Sequence, residues 1–187
     1  MHNNDVQKAK QAAGNAAAAL IQSGMLVGLG TGSTAVFFID SLIERCKKES
    51  LKVTVFPSSE RSAKQALAGG IPLCDENQVT SLDVTVDGAD EIDNKKRMIK
   101  GGGGALLREK IIASMSKEMI VIVDPTKVVK ELGGCPLPVE VVPFAHHATL
   151  YKVRNEGFDG ALRLKQDGNL FVTDNGNYII DIKFPHR

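Results

Sequence analysis

Short apolar runs and helix-forming stretches alternate along the first 125 residues of the chain. An apolar run of three to six residues bounded by glycine, proline or polar residues is typical of a strand buried on both faces of a sheet. Such runs predict strands at residues 25–30, 53–56, 71–73, 84–86 and 119–123. The stretches between them predict helices at residues 7–22, 35–47, 60–68 and 104–116, with Ser33 or Thr34 as the N-cap of the second helix. Strands that alternate with helices predict an α/β fold on a parallel sheet.

The pattern changes after Gly133 and Gly134. Residues 137–143 and 161–164 are rich in apolar and β-branched side chains, and residues 146–155 have a helical pattern between them. Residues 171–182 contain an Asn-Gly pair between two β-rich runs, which is a strong signal for a β-hairpin. We therefore expect a smaller α+β lobe, and we divide the chain into a first domain at residues 1–132 and a second at residues 133–187.

The composition excludes several classes of partner. The chain has 187 residues and a net charge of +1, so it lacks the basic surface by which nucleic acids or anionic membranes are bound. No apolar run approaches the ~18 residues of a membrane span, and the first ten residues lack the apolar core of a secretory signal. The three cysteines form no Cys-x-x-Cys pair, which argues against zinc and favours a reducing cytoplasm.

The motif GLGTGSTA occupies residues 28–35, between a predicted strand and a predicted helix. Glycines let backbone N–H groups approach an anion, and the N-terminus of the following helix favours negative charge. The motif has neither the third glycine of a dinucleotide-binding fingerprint nor the Gly-Lys of a Walker loop. Hydroxyls at Thr31, Ser33 and Thr34 favour a phosphate monoester. A plain glycine-rich turn is the alternative.

The motif DGADEID places four carboxylates directly after a predicted strand, at Asp87, Asp90, Glu91 and Asp93. Ligands of α/β proteins bind at the carboxyl ends of the strands. The calcium-binding EF-hand loop requires a glycine at its sixth position, where this motif has Ile92. Two roles remain open for these carboxylates, as acid/base groups or as acceptors for sugar hydroxyls. A solvated acidic turn is the alternative.

The stretch KGGGGALLREK runs from Lys100 through four glycines into a predicted helix that carries Glu109. The residues three and four positions from Glu109 on that helix are alanine, leucine and isoleucine, so no cation is placed to pair with it. Desolvation by such neighbours is expected to raise its pKa toward the range of a general base. Lys100 could stabilise a developing oxyanion. A solvated surface glutamate is the alternative.

Together with the later PLPVEVVP, these three motifs resemble the A-type ribose-5-phosphate isomerases in order and spacing. The resemblance implies interconversion of D-ribose 5-phosphate and D-ribulose 5-phosphate in the non-oxidative pentose phosphate pathway, without a metal or organic cofactor. It also implies a Rossmann-like parallel-sheet domain with a smaller α+β (ferredoxin-like) lobe, assembled as a homodimer or homotetramer. The family continues through further strands where this chain ends at FPHR, so we expect an incomplete small lobe.

The resemblance also implies a role for each matching position. Glu109 is expected to move a proton between C2 and C1, and Asp87 and Asp90 to contact the sugar and assist ring opening. Lys100 and the glycines after it are expected to hold the reacting end, and the loop after the first strand the phosphate region. The catalytic residues so implied are Glu109, Asp87, Asp90 and Lys100. The substrate-binding residues so implied are Thr31, Gly32, Ser33, Thr34, Asp87, Gly88, Ala89, Asp90, Lys100, Gly101, Gly102, Gly103 and Lys127.

The chemistry of an aldose–ketose isomerase fits these residues. A carboxylate abstracts a proton α to a carbonyl, N–H donors or a cation stabilise the enediolate, and a bound phosphate orients the reacting carbons. Two alternatives use a similar scaffold. A sugar-phosphate-sensing module would normally carry a basic DNA-binding segment, which this sequence lacks. An amino-sugar phosphate deaminase or acyl-CoA transferase is disfavoured by the pairs Asp87/Asp90 and Lys100/Glu109.

Overall fold

The computed structural model describes residues 3–184, which form two compact units. The first unit comprises the chain up to Ala89 together with Arg108–Val128, and the second comprises Asp90–Leu107 and the chain from Val129 onward. The division of the chain into folding domains at residues 132 and 133 stays a prediction.

The helices are α1 (Asn3–Ala19), α2 (Ala35–Lys48), α3 (Glu60–Ala68), α4 (Leu106–Met115) and α5 (His146–Asn155), with a 3₁₀ turn at Pro125–Lys127. The strands are β1 (Leu26–Leu29), β2 (Thr54–Pro57), β3 (Val84–Asp87), β4 (Glu91–Ile92), β5 (Met98–Ile99), β6 (Met119–Val121), β7 (Leu137–Val141), β8 (Gly160–Leu162) and β9 (Tyr178–Ile182). None of the helices within residues 3–184 is long and apolar enough to cross a membrane.

The first unit is built on a four-stranded parallel sheet with the order β2-β1-β3-β6. Its central strands are buried on both faces, as their continuous apolar sequences predict, and Val27, Leu29 and Val86 are fully enclosed. Phe38 and Leu42 of α2 pack in the same core. The α/β fold with a parallel sheet is therefore confirmed.

The register of the parallel sheet brings the carboxyl ends of the strands to one edge. Leu29 at the end of β1 pairs with Pro57 of β2 and with Val86 of β3, and Asp87 pairs with Val121 of β6. The segments that follow β1, β2, β3 and β6 consequently begin beside one another. This is the edge at which open α/β sheets bind their ligands.

The second unit contains two antiparallel sheets, one with the order β7-β9-β8 and one formed by β4 and β5. In the larger sheet, the apolar side chains of Val141 and Ile180 pack against Leu150 of α5. A three-stranded antiparallel sheet with one face covered by a helix fits the expected α+β lobe. The two-residue strands β4 and β5 were not predicted, because runs this short carry no periodic signal.

Two predicted elements are wrong. Residues 71–73 form one isolated bridge between Val55 and Leu73 instead of a strand, because Pro72 has no N–H to extend a ladder. Residues 171–173 do not form a strand paired with β9, although Thr173 N donates to Asn177 O at 2.9 Å across the predicted Asn-Gly turn. Strand β9 already has β7 on one edge and β8 on the other, so no edge remains for them.

The N-caps of α2 and α3 differ in whether their hydroxyls make a capping hydrogen bond. Thr34 is the N-cap of α2, but its side chain makes no capping hydrogen bond. Helix α3 begins with a full capping box, in which Ser59 Oγ accepts from Ser62 N at 3.2 Å and Ser59 N donates to Ser62 Oγ. A hydroxyl at an N-cap position does not establish that it caps, because other partners compete for it.

Gly28 in the middle of β1 tests the packing of the sheet against α4. A Cβ at this position would lie 2.1 Å from Thr85 Oγ1 and 2.7 Å from Ile112 Cγ2. Gly28→Ala is therefore expected to lower the free energy of unfolding by about 1–3 kcal/mol, the cost of overpacking a core. Urea denaturation measures this loss. The change Gly28→Ala should cost less stability in a Thr85→Ala background than in wild type, because the clash with Thr85 Oγ1 is then absent. An unchanged midpoint in Gly28→Ala would contradict this packing.

Candidate active site

Asp87 ends β3 and is almost completely buried in the first unit, with 1% of its surface exposed. Its Oδ1 atom accepts hydrogen bonds from Thr31 N at 3.1 Å and from Gly88 N at 2.7 Å. Gly30 permits this approach, since a Cβ at that position would lie 2.0 Å from Asp87 Oδ1. The carboxylate therefore holds the loop after β1, and both features belong to the predicted site.

Hydroxyl groups of the loop after β1 contact two serines that the sequence did not single out. Thr31 Oγ1 donates to Ser59 Oγ at 2.7 Å and lies 2.7 Å from Ser58 Oγ. Both serines are buried where β2 leads into α3. Residues of the motif SSE could have been proposed, because they follow a predicted strand just as the other site motifs do. The side chain of Thr31 thus ties the ends of two neighbouring strands together.

The exposed end of the same loop carries a cation. Lys10 Nζ, on α1, donates to Ser33 Oγ at 2.9 Å. Gly32 has φ +134°, a conformation that other residues rarely adopt, and it leads the chain into the N-terminus of α2. Nothing in the sequence marks Lys10 as a site residue, because it lies 23 residues before Ser33 on an alanine-rich helix. A hydroxyl, a helix N-terminus and an ammonium group together suit an anion.

Lys127, the predicted basic residue of this unit, lies in the 3₁₀ turn after β6. Asp124 caps this turn by accepting from Thr126 N at 2.9 Å, and only 1% of its surface is exposed. Burial raises the pKa of Asp124, but the hydrogen bonds from Thr126 and the positive charges of Lys10 and Lys127 outweigh burial and hold this pKa below its usual value. Both lysines therefore lie within electrostatic reach of one buried carboxylate.

Glu109 lies in the first turn of α4 and is 4% exposed. Its Oε2 atom is buried. The alternative that Glu109 is a solvated surface glutamate is therefore wrong. Burying a charged carboxylate is costly unless hydrogen bonds or opposite charges offset the cost. A buried glutamate is therefore a candidate for a functional residue.

Asp90 and the glycine loop, residues 101–104, belong to the second unit. Asp90 Oδ2 accepts a hydrogen bond from Gly102 N at 2.7 Å. A Cβ on Gly102 would lie 2.4 Å from Asp90 Oδ1, and Gly101 and Gly104 have φ values of +100° and +84°. The loop thus requires glycine at these positions for contact or conformation. Lys100, half-buried, precedes the loop directly after β5.

The other two carboxylates of DGADEID maintain the local fold of the second unit. Glu91 Oε2 accepts from Gly133 N at 2.8 Å, and Asp93 Oδ1 accepts from Lys95 N and Arg97 N at 2.9 Å. Burial raises the pKa of Asp93, but these hydrogen bonds and the charge of Arg97 hold it below its usual value. Glu91 and Asp93 are buried, so a solvated acidic turn does not describe this motif.

The predicted residues are thus distributed over both units. The first contains Thr31, Gly32, Ser33, Thr34, Asp87, Gly88, Ala89, Glu109 and Lys127, and the second contains Asp90, Lys100, Gly101, Gly102 and Gly103. Within residues 3–184, no three His, Cys, Asp or Glu side chains are grouped so that they could hold a metal ion. The predicted residues of the two units include a buried carboxylate, cations and backbone donors beside glycines. These are the groups needed to transfer a proton at a carbon adjacent to a carbonyl.

Comparison with known proteins agrees with this chemistry. The sequence profile of ribose 5-phosphate isomerase A (phosphoriboisomerase A) matches residues 54–187. The chain is 53% identical to ribose-5-phosphate isomerase A of Protochlamydia amoebophila over 178 residues, which are 95% of this chain and 76% of that protein.

Solved structures give the same result. One of D-ribose-5-phosphate isomerase in complex with phospho-erythronic acid has a TM-score of 0.91 and 39% identity, over 96% of this chain and 80% of that one. Ribose 5-phosphate isomerase A of Methanocaldococcus jannaschii has a TM-score of 0.90 and 38% identity, over 95% and 80% of the two chains. This chain therefore belongs to the ribose 5-phosphate isomerase A family.

Proposed function

We propose that this chain catalyses the known reaction of its family, the interconversion of D-ribose 5-phosphate and D-ribulose 5-phosphate, through an enediolate and without a metal or organic cofactor. The observation that carries the proposal is a buried glutamate, Glu109, on the helix that directly follows a lysine and a glycine loop. The substrate is a sugar phosphate, and the reaction belongs to the pentose phosphate pathway.

Glu109 acts as the base in this proposal. It takes the proton from C2 of the open-chain aldose, the C–H electrons form the C1–C2 double bond, and the carbonyl O1 becomes an oxyanion. The same carboxyl group then returns the proton to C1 while the carbonyl forms at C2 and the hydroxyl proton of O2 moves to O1. A carboxylate removed from bulk water can hold the proton between the two steps without losing it to solvent.

The negative charge that develops on O1 and O2 needs donors. We assign this role to the ammonium group of Lys100 and to amides of the glycine loop. Asp87 and Asp90 are assigned to the hydroxyls of the sugar and to ring opening. One oxygen of each carboxylate accepts backbone N–H groups, which orients the side chain.

The phosphate group is assigned to the loop from Thr31 to Thr34. Its support is the N-terminus of α2, the hydroxyl of Ser33 and the contact between Lys10 and Ser33. Lys127 supplies a second positive charge in the same unit. A structural relative binds phospho-erythronic acid, which combines a phosphate with a carboxylate and so matches the two kinds of anion in this proposal. The distance between phosphate and reacting carbons lets binding energy orient the substrate.

The first experiment compares wild type with Glu109→Gln in the conversion of ribose 5-phosphate to ribulose 5-phosphate, in excess chelator. Wild type should remain active, and Glu109→Gln should lose about 10²–10⁴-fold in kcat, the range for a general base. Glu44→Gln, on the exposed face of α2, is the matched control and should retain full activity. Loss of wild-type activity on chelation, or an unimpaired Glu109→Gln, would sink this mechanism.

The second experiment tests the phosphate assignment. Lys10→Ala and Lys127→Ala should each raise KM about tenfold or more with kcat changed only a few-fold, because a charged contact present in both ground and transition states contributes to binding. Lys8→Ala, an exposed lysine on the same helix as Lys10, should leave KM unchanged. A collapsed kcat with unchanged KM in either variant would refute the assignment.

We also propose that the chain forms a homodimer or homotetramer in the cytoplasm. Val142, Phe144 and Tyr151 in the second unit are 65%, 88% and 66% exposed, which supports an interface, and the three free cysteines suit a reducing compartment. Light scattering should give two or four times the chain mass of 20.1 kDa, and Phe144→Glu should lower it. A monomeric mass for wild type would refute the assembly, and cell fractionation tests the compartment.

A further inference from the structure

A single arginine holds the glycine loop through its carbonyl oxygens. Arg163, directly after β8, donates from Nη1 to Gly101 O and to Gly102 O, each at 3.1 Å. The Arg163 side chain is 14% exposed. Because one nitrogen of a rigid planar group binds both carbonyls, the two peptide groups cannot turn independently while these bonds exist.

Arg163 is itself fixed from two sides. Its Nε and Nη2 atoms donate to the two carboxylate oxygens of Asp181 at 2.8 and 2.5 Å, in the bidentate geometry that suits a guanidinium. Asp181 lies in β9, the central strand of its sheet. The centroid of the Phe171 ring lies 5.7 Å from Arg163 Cζ, and a Cβ on Gly104 would lie 2.4 Å from Phe171 Cζ. Phe171 therefore contacts both the guanidinium and the far end of the loop.

The contact with Arg163 also determines the direction in which the next backbone N–H groups point. The C=O of one residue and the N–H of the next point in opposite directions across a trans peptide. Fixing Gly101 O thus fixes Gly102 N–H, and fixing Gly102 O fixes Gly103 N–H. Gly102 N–H donates to Asp90 Oδ2 at 2.7 Å, so this amide already points at an anionic oxygen.

We propose that Arg163, held by Asp181, is a positioning residue for the isomerisation. It fixes the glycine-loop carbonyls so that the Gly103 amide, next to one that already binds a carboxylate, donates to an oxygen of the enediolate. The positive charge of Arg163 is paired with Asp181, so its contribution is geometric. The inference rests on the proposed function, and Arg163 does not touch the substrate.

The test uses Arg163→Lys, which keeps the charge beside Asp181 but cannot bind the carboxylate and both carbonyls at once. We expect kcat to fall about 10–100-fold, while KM for ribose 5-phosphate changes less than about threefold because the phosphate is bound elsewhere. Phospho-erythronic acid, whose carboxylate resembles the enediolate oxygens, should inhibit Arg163→Lys about tenfold less tightly than wild type. Inhibition by inorganic phosphate should not change.

Arg154→Lys is the matched control. Arg154 also binds a backbone carbonyl of the second unit, because its Nε and Nη2 atoms donate to Gly160 O at 3.1 and 2.9 Å. It does not contact the glycine loop. The Arg154→Lys variant should lower the melting temperature about as much as Arg163→Lys does. It should leave kcat and inhibition by phospho-erythronic acid unchanged. Asp181→Asn, nearly isosteric, should lower kcat about three- to tenfold with the same pattern of inhibition, and it carries the test if Arg163→Lys does not fold.

The outcomes separate the two proposals. An inactive wild type overturns the proposed function itself. An active wild type with equal kcat in Arg163→Lys and Arg154→Lys overturns the positioning role of Arg163 alone. Loss of inhibition by inorganic phosphate in parallel with phospho-erythronic acid would also overturn it, because a general structural defect would then explain the result.

Discussion

The buried carboxylate of Asp87 determines how the ends of β1 and β3 are arranged. An ionised carboxylate is costly to bury unless hydrogen-bond donors satisfy it, and here Thr31 N and Gly88 N donate to Oδ1. Thr31 N comes close enough because Gly30 has no Cβ. Any side chain at residue 30 would displace the loop that leads to Ser33 and to α2. The absence of a Cβ at Gly30 therefore lets Asp87, proposed to contact the sugar, hydrogen-bond to the loop proposed to bind the phosphate.

The glycine loop of the second unit needs other residues to hold its conformation. Glycine loses the most conformational freedom on folding, so a run of four is stable only if other groups determine its conformation. Asp90 binds the amide of Gly102, Arg163 binds the carbonyls, and the Phe171 ring lies against Gly104. The loop can bring its backbone close to a ligand because these three side chains, and no side chain of its own, keep it in place.

The sequence predicted those features that depend on local pattern. The buried strands β1 and β3, the half-buried strand β6 and the helices α2 and α3 follow from apolar runs and helix propensity. The site motifs follow from their places after strands. Residues 171–173 were predicted wrongly because pairing depends on which strand edges are available. Lys10 and Arg163 were missed because their partners lie 23 and about 60 residues away, respectively, and nothing near them in the chain marks such contacts.

The sequence does not show which buried carboxylates maintain a local turn, and hydrogen bonds identify two that do. Asp93 and Asp124 each accept backbone N–H groups of their own turn, and the pKa of each lies below its usual value despite burial. A carboxylate so stabilised as an anion is a weak base and is poorly suited to remove a proton from carbon. These two residues therefore shape turns that carry cations. Glu109, on a helix and not in a turn of this kind, is the buried carboxylate that we propose for proton transfer.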